Sequence, residues 1–169
     1  KDKDGQPRYA CLRGIGTDFK GEATGSDKRF SFSIPAEESS QVLYLFESDI
    51  DLLSFAAMAQ EDRLPWRSQH LLSLAGVYQP KKNLTERHLP LALSQYLRDH
   101  REIQTIYLCL DNDLAGRSAA DAIRQQLAGR YVVLDGFPCQ GKDYNDWLCL
   151  RKGLPITRTV SKPERSMAR

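Results

Sequence analysis

The chain has 169 residues, 41% hydrophobic and 27% charged, a composition that suits one globular domain plus an appendage and excludes a mainly disordered or collagen-like protein. Its net charge of +2 hides a gradient: residues 1–30 hold seven Lys/Arg against five Asp/Glu (+2), residues 31–150 eleven against sixteen (−5), and residues 151–169 six against one (+5). No run approaches the roughly 20 apolar residues that span a bilayer, and the start Lys1-Asp-Lys-Asp-Gly is too polar for a secretory signal, so a soluble, cytoplasmic protein with no membrane partner is expected.

Cys11, Cys109, Cys139 and Cys149 are scattered without a CxxC pair, which predicts reduced thiols, no disulfide framework and no zinc site. His70, His88 and His100 lack paired ligand spacing and are assigned no metal role. The opening is charged, turn-like and without Met, and is expected to continue from a longer protein.

In chain order, residues 1–40 read as a β-rich appendage. It comprises Tyr9-Ala-Cys-Leu, a turn at Gly14-Ile-Gly, and Arg29-Phe-Ser-Phe-Ser-Ile with period two, which directs Phe30 and Phe32 to the core. After the polar break Pro35-Ala-Glu-Glu-Ser-Ser the pattern alternates between strands and helices. Val42-Leu-Tyr-Leu-Phe is a continuous apolar run, the mark of a strand covered on both faces, and it ends at Glu47. Asp49 or Asp51 is expected to cap a helix over 52–60 that ends before Pro65. His70-Leu-Leu-Ser-Leu-Ala-Gly76 is the second strand. Thr85 opens a helix to about His100 in spite of Pro90. Thr105-Ile-Tyr-Leu-Cys-Leu is the third strand, ending at Asp111. A helix from Leu114 to about Ala128 stops at Gly129, and Tyr131-Val-Val-Leu is the fourth strand. Beyond Gly153 the basic tail, 151–169, carries Pro155 and Pro163 with little apolar periodicity, and partial disorder is expected.

The alternation over 41–150 predicts an α/β domain with a mainly parallel four-stranded sheet, helices on both faces and a site at the carboxyl ends of the strands. Acidic residues stand at those ends: Glu47, the pair Asp111 and Asp113, then Asp143 with Asp146. Carboxylates gathered so closely require a cation or shared protons, and hard oxygen ligands favour magnesium, with one or two ions stabilising charge at a phosphodiester. Taken singly, Glu47 or Asp51 reads as a helix cap or a solvated carboxylate, and Arg117 as a surface residue.

Four segments, Phe46-Glu-Ser-Asp-Ile-Asp-Leu-Leu-Ser54, Leu72-Ser-Leu-Ala-Gly76, Leu108-Cys-Leu-Asp-Asn-Asp-Leu-Ala-Gly-Arg-Ser-Ala-Ala120 and Gly141-Lys-Asp-Tyr-Asn-Asp-Trp-Leu148, together resemble the ordered motifs of Toprim domains of the primase branch. The segments Tyr9-Ala-Cys-Leu-Arg-Gly, Phe19-Lys-Gly-Glu and Gly25-Ser-Asp-Lys-Arg-Phe resemble what precedes Toprim in primase-like proteins of bacterial mobile elements and plasmids. The resemblance implies a Rossmann-like Toprim fold and a Mg²⁺-dependent nucleotidyltransferase, with Mn²⁺ as a substitute. Glu47 would be the catalytic acid/base or a metal-site carboxylate, Asp111, Asp113 and Asp143 the metal ligands, and Asp51 and Asp146 further members of the acidic patch. Implied partners are DNA, single-stranded for preference, nucleotides and a replicative helicase or other replication protein. A nuclease and a non-catalytic DNA- or helicase-binding module are the alternatives.

One position departs from the primase pattern: Ser48 stands where Gly usually follows the motif Glu. Physical placement adds Arg117 and Lys142 as phosphate contacts near the helix that opens after Asp113, with Lys28 and Arg29 extending a path for a nucleic-acid backbone. Phe30, Phe32 or Tyr144 are the candidates for stacking on bases.

Overall fold

The strand run Val42–Phe46 alternates its side chains between two apolar layers, and that alternation organises the molecule. A computed structural model describes residues 2, 4–17, 19–76 and 88–156. In chain order the elements are β1 (Cys11–Arg13), β2 (Lys20–Glu22), β3 (Ser33–Ile34), β4 (Val42–Phe46), α1 (Asp49–Glu61), β5 (His70–Ser73), α2 (Leu91–Asp99), β6 (Thr105–Cys109), α3 (Leu114–Leu127), β7 (Val132–Asp135) and α4 (Tyr144–Arg151). Single 3-10 turns lie at Lys28–Phe30 and Trp66–Ser68. No described helix is long and apolar enough to cross a membrane.

Strands β5, β4, β6 and β7 are parallel neighbours in that order, and β3 adds a fifth, antiparallel strand at the β5 edge through Ser33 opposite Leu72 and Ile34 opposite Leu71. The anticipated four parallel strands are therefore joined by a short strand from the segment read as appendage. β1 and β2 form a separate antiparallel hairpin, Cys11 opposite Glu22 and Arg13 opposite Lys20.

Leu43 and Leu45 of β4 face one layer with Ile106 and Leu108 of β6, Leu93 and Leu97 of α2, and Ile123 and Leu127 of α3. Phe46 faces the other with Leu52, Ala56 and Met58 of α1, Leu71, Cys109 and Tyr144 of α4. Period-two alternation within an all-apolar run is how one strand serves two cores. On the second side Tyr44 and Tyr107 stack at 4.9 Å between centroids. Arg151 of α4 also grips Asp62, just past α1, with two bonds of 2.8 and 2.7 Å.

Several local expectations are corrected. Ser48 is the cap of α1, in place of Asp49 or Asp51, with its side chain accepting from the Asp51 N–H. Helix α2 begins at Leu91 with Pro90 as its cap, because proline suits a helix start and cannot sit inside one. The Thr85 cap lies outside the described residues, as does the tail from 157 on. The expected inward phase also fails at Phe32: Phe30 is half-buried, Ser31 is buried with its hydroxyl donating to the Ser73 carbonyl at 2.5 Å, and Phe32 is exposed. The 3-10 turn at Lys28–Phe30 breaks the extended period that would have turned Phe32 inward.

Candidate active site

Parallel strands deliver their carboxyl ends to one edge, and there the chain leaves β4 at Glu47 and β6 at Asp111. Ser48 turns the chain into α1 with an extended backbone (φ −128°), a conformation open to any residue, so the usual glycine is not needed. Its hydroxyl donates to Asp51 Oδ2 at 2.5 Å and its Oγ accepts from the Asp51 N–H at 3.3 Å. Ser48 thus caps the helix through its Oγ while its hydroxyl proton is given to the Asp51 carboxylate. The Asn145 N–H of α4 donates to Asp51 Oδ1 at 3.3 Å, so Asp51 is fixed from both sides.

Behind Asp111 the chain must turn sharply into α3. Asp113 caps that helix, Oδ1 accepting from the Gly116 N–H at 2.9 Å. A Cβ on Gly116 would lie 2.1 Å from the Asp111 carbonyl oxygen, so only glycine allows the helix to approach the acidic strand end. The loop before α4 is strapped on by Asn112 N–H to the Lys142 carbonyl at 2.7 Å. That loop turns at Gly141 (φ +75°), where a Cβ would meet Asp146 at 2.5 Å. Asp143 caps α4 through the Asp146 N–H at 2.7 Å, and Asp146 Oδ2 accepts from the Lys142 N–H at 3.0 Å.

These turns bring one oxygen each of Asp51, Asp111 and Asp143 within 4.8 Å of one another. Glu47 shares their cavity, about 470 Å³ in volume. Lys142 Nζ bridges Asp111 Oδ2 at 2.8 Å and Asp113 Oδ2 at 3.2 Å.

The electrostatics follow from this crowding. Burial, then the neighbouring Asp111 charge, pushes the Glu47 carboxyl up to about 7. Burial pushes Asp51 up to about 6 against the opposing Ser48 hydrogen bond, with Asp143 and Asp111 adding repulsion. Asp111 is raised by burial even though Lys142 opposes it. For Asp113 the upward push of burial is outweighed by the Gly116 N–H and Lys142, which hold it below the usual carboxylate range. A cavity in which three acids resist ionisation is short of positive charge, the condition a divalent cation relieves.

Of the residues expected at the site, Glu47, Asp51, Asp111, Lys142 and Asp143 line the cavity. Asp113 stands beside them through Lys142, outside the three-oxygen group, and Asp146 braces the loop. Arg117 bonds to Asn112 Oδ1 and rests on the Phe137 ring at 4.9 Å, away from the cavity lining. Lys28 pairs with Glu22 at 2.7 Å and donates to the Ala75 carbonyl at 3.2 Å, tying the hairpin to the loop after β5. Arg29 is held by Asp27 at 2.6 Å. Tyr144 is buried with its hydroxyl donating to the Gly136 carbonyl at 2.7 Å, so it supports the core and does not stack on bases.

The opposite wall of the cavity was not anticipated. Tyr9, just ahead of β1, and Cys11, Arg13, Lys20 and Glu22 of the β1–β2 hairpin line it together with Ala75 and Gly76. Ala75 holds a left-handed backbone (φ +59°), and the Gly76 N–H donates to the Glu47 carbonyl at 2.9 Å. The hairpin strands are only three residues long and their burial pattern has no buried position, so no periodicity announces their role. A serine directly ahead of an acidic first turn, Ser48 before Asp49 and Asp51, was the legible signal for the new cap.

Among solved structures the chain is similar to the primase fragment of the bacteriophage T7 primase-helicase protein, at 20% identity and a TM-score of 0.54, over 90% of this chain and 56% of that one. The likeness concerns the fold, and this chain spans just over half the length of that fragment. No curated protein matches. The Toprim-like family profile matches residues 44–148, from β4 to α4, and so takes in every carboxylate at the strand ends. The chain belongs to the Toprim-like family.

Proposed function

We propose that this cleft is the catalytic centre of a primase-like nucleic-acid enzyme, joining nucleotides on a single-stranded DNA template. The carrying observation is that Glu47, pushed up to about 7, shares one cavity with the three converging carboxylates Asp51, Asp111 and Asp143. The likeness of fold to a primase fragment supports the same reading.

In this reading Asp51, Asp111 and Asp143 hold a divalent cation, and their donor set fits magnesium: hard oxygens, few in number, leaving room for water and phosphate. Bound Mg²⁺ would supply positive charge to the phosphate oxygens while the attacking hydroxyl bonds to the α-phosphorus of a nucleoside triphosphate and the bond to the departing pyrophosphate breaks. Glu47 takes the proton of the attacking hydroxyl, a task that suits an acid whose affinity for protons is balanced near neutral pH. Lys142, held by Asp111 and Asp113, meets the phosphate with its ammonium. Arg13 and Lys20 on the hairpin wall hold the nucleic-acid backbone, Lys28 fixes that wall in place, and Arg117 and Arg29 extend the positive path outside the cavity. A replicative helicase is the partner this role calls for.

The test incubates the chain with single-stranded DNA, labelled nucleotides and Mg²⁺ or Mn²⁺. Template-dependent extension that disappears in Glu47→Gln supports the reading. Cleavage of the DNA without nucleotide incorporation identifies a nuclease instead, and salt-sensitive binding with no turnover identifies a binding module.

A further inference from the structure

At the amino-terminal edge of the sheet, opposite the acidic cleft, three residues from distant parts of the fold meet. His70 opens β5, His100 caps the end of α2, and Glu102 lies between that cap and β6. One ligand atom from each lies within 4.8 Å of the others. His70 Nε2 is 3.6 Å from Glu102 Oε1, and His100 Nδ1 is 3.2 Å from the same oxygen. A zinc ion with bonds of about 2.0–2.1 Å at tetrahedral angles sets its ligand atoms about 3.3 Å apart, a value these two separations bracket.

The second observation is His70 itself. The residue is 3% exposed, and its Nε2 is buried with no hydrogen-bond partner, a state that buried polar atoms rarely keep. Its other nitrogen, Nδ1, is 3.0 Å from Tyr96 Oη and accepts from the Ala36 N–H at 3.4 Å. A metal at Nε2 requires the tautomer in which Nδ1 gives up the long Ala36 bond, carries the proton and donates it to Tyr96 Oη, leaving the Nε2 lone pair toward Glu102 and His100. Metal-binding histidines are oriented by such an outer hydrogen bond. The His70 and His100 rings are 4.7 Å apart between centroids, too close for two imidazolium charges to be comfortable, which favours the neutral rings a metal needs.

We propose that His70, His100 and Glu102 form a site for zinc or a similar borderline cation, tying the start of β5 to the end of α2 and the turn into β6. Two imidazole nitrogens with one carboxylate select zinc over magnesium, whereas the oxygen-only cleft at the other edge prefers magnesium. Local spacing could not reveal the site, because its three ligands meet only once the sheet and α2 are packed.

The test titrates Zn²⁺, and Co²⁺ as a coloured probe, into the untagged, reduced chain with saturating Mg²⁺ present to fill the cleft. The expected result is one Zn²⁺ per chain, affinity weakened at least about tenfold in His100→Ala and in Glu102→Gln, and a zinc-dependent rise in Tm that both variants lose. Asp51→Asn leaves zinc affinity unchanged. His70→Ala empties a buried position and can unfold the chain, so the partly exposed His100 and Glu102 carry the comparison. A parent chain that takes up no zinc, or variants that bind it as tightly as the parent, overturns the assignment.

Discussion

The Ser48 hydroxyl donates to Asp51 Oδ2 at 2.5 Å while the Asp51 N–H donates back to Ser48 Oγ at 3.3 Å. One pair of residues thus starts α1 and orients a carboxylate of the candidate metal site. Ser48→Ala should cost about 1 kcal/mol of stability, and Ser48→Gly only a few tenths, because glycine tolerates the cap position. Both variants remove the hydroxyl that favours ionised Asp51, so its carboxyl should rise above about 6 and metal affinity should weaken at slightly acid pH. Urea unfolding and Mn²⁺ titration at two pH values measure the two effects.

Asp51 and Asp111 belong to the converging group, whereas Asp113 is engaged by Gly116 and Lys142. Asp51→Asn and Asp111→Asn should therefore each weaken Mn²⁺ binding tenfold or more (an energy of about 1.4 kcal/mol), and Asp113→Asn should weaken it less. Calorimetric titration ranks the three. Equal effects from all three would show that Asp113 is a direct ligand.

The raised acids also set a pH dependence. Glu47, up to about 7, and Asp51, up to about 6, hold protons more tightly folded than unfolded. The stability they contribute is complete below their unfolded values near 4 and is lost as pH rises through 6 to 7. Without metal, Tm should fall over this window, and saturating Mg²⁺ should shrink the fall by replacing the protons. The double variant Glu47→Gln, Asp51→Asn should flatten the metal-free profile relative to the parent, as thermal melts from pH 4 to 8 would record.

Gly116→Ala places a Cβ 2.1 Å from the Asp111 carbonyl oxygen, a clash with backbone that no side-chain movement relieves. The variant should lose about 2 kcal/mol or more and bind Mn²⁺ more weakly, because α3 can relax only by pushing the Asp111 strand end out of place. Denaturant unfolding together with metal titration checks both parts.

Arg13 and Lys20 line the cavity wall opposite the acids. Exchanging both for Glu should weaken single-stranded DNA binding and lower the slope of log K against log salt by about 0.7 for each phosphate no longer neutralised. Fluorescence anisotropy at several salt concentrations measures the slope, and an unchanged slope would remove the hairpin from the interface.

Much of this arrangement is legible in the sequence alone. Residues 42–46 and 106–110 are apolar without interruption, which marks strands covered on both sides, and the acids directly beyond them, Glu47 and Asp111, mark the edge where a site forms. Other features depend on packing that no local pattern records. The alternation around Phe32 directs its ring inward, and the turn at Lys28–Phe30 interrupts that alternation. Tyr144 carries a polar tip on a ring that the core absorbs, and only the Gly136 carbonyl reveals where its hydroxyl goes. The β1–β2 hairpin is short and polar, so its place across the cleft comes from tertiary interactions such as Lys28 with Ala75.

The most direct measurement is a crystal of this chain soaked in Mn²⁺ and inspected for anomalous scattering. The account predicts a peak at the carboxyl ends of β4 and β6, about 2.0–2.3 Å from oxygens of Asp51, Asp111 and Asp143, with Glu47 beside it. A cleft that stays free of anomalous density at saturating Mn²⁺, with Lys142 still clamped between Asp111 and Asp113, would contradict it.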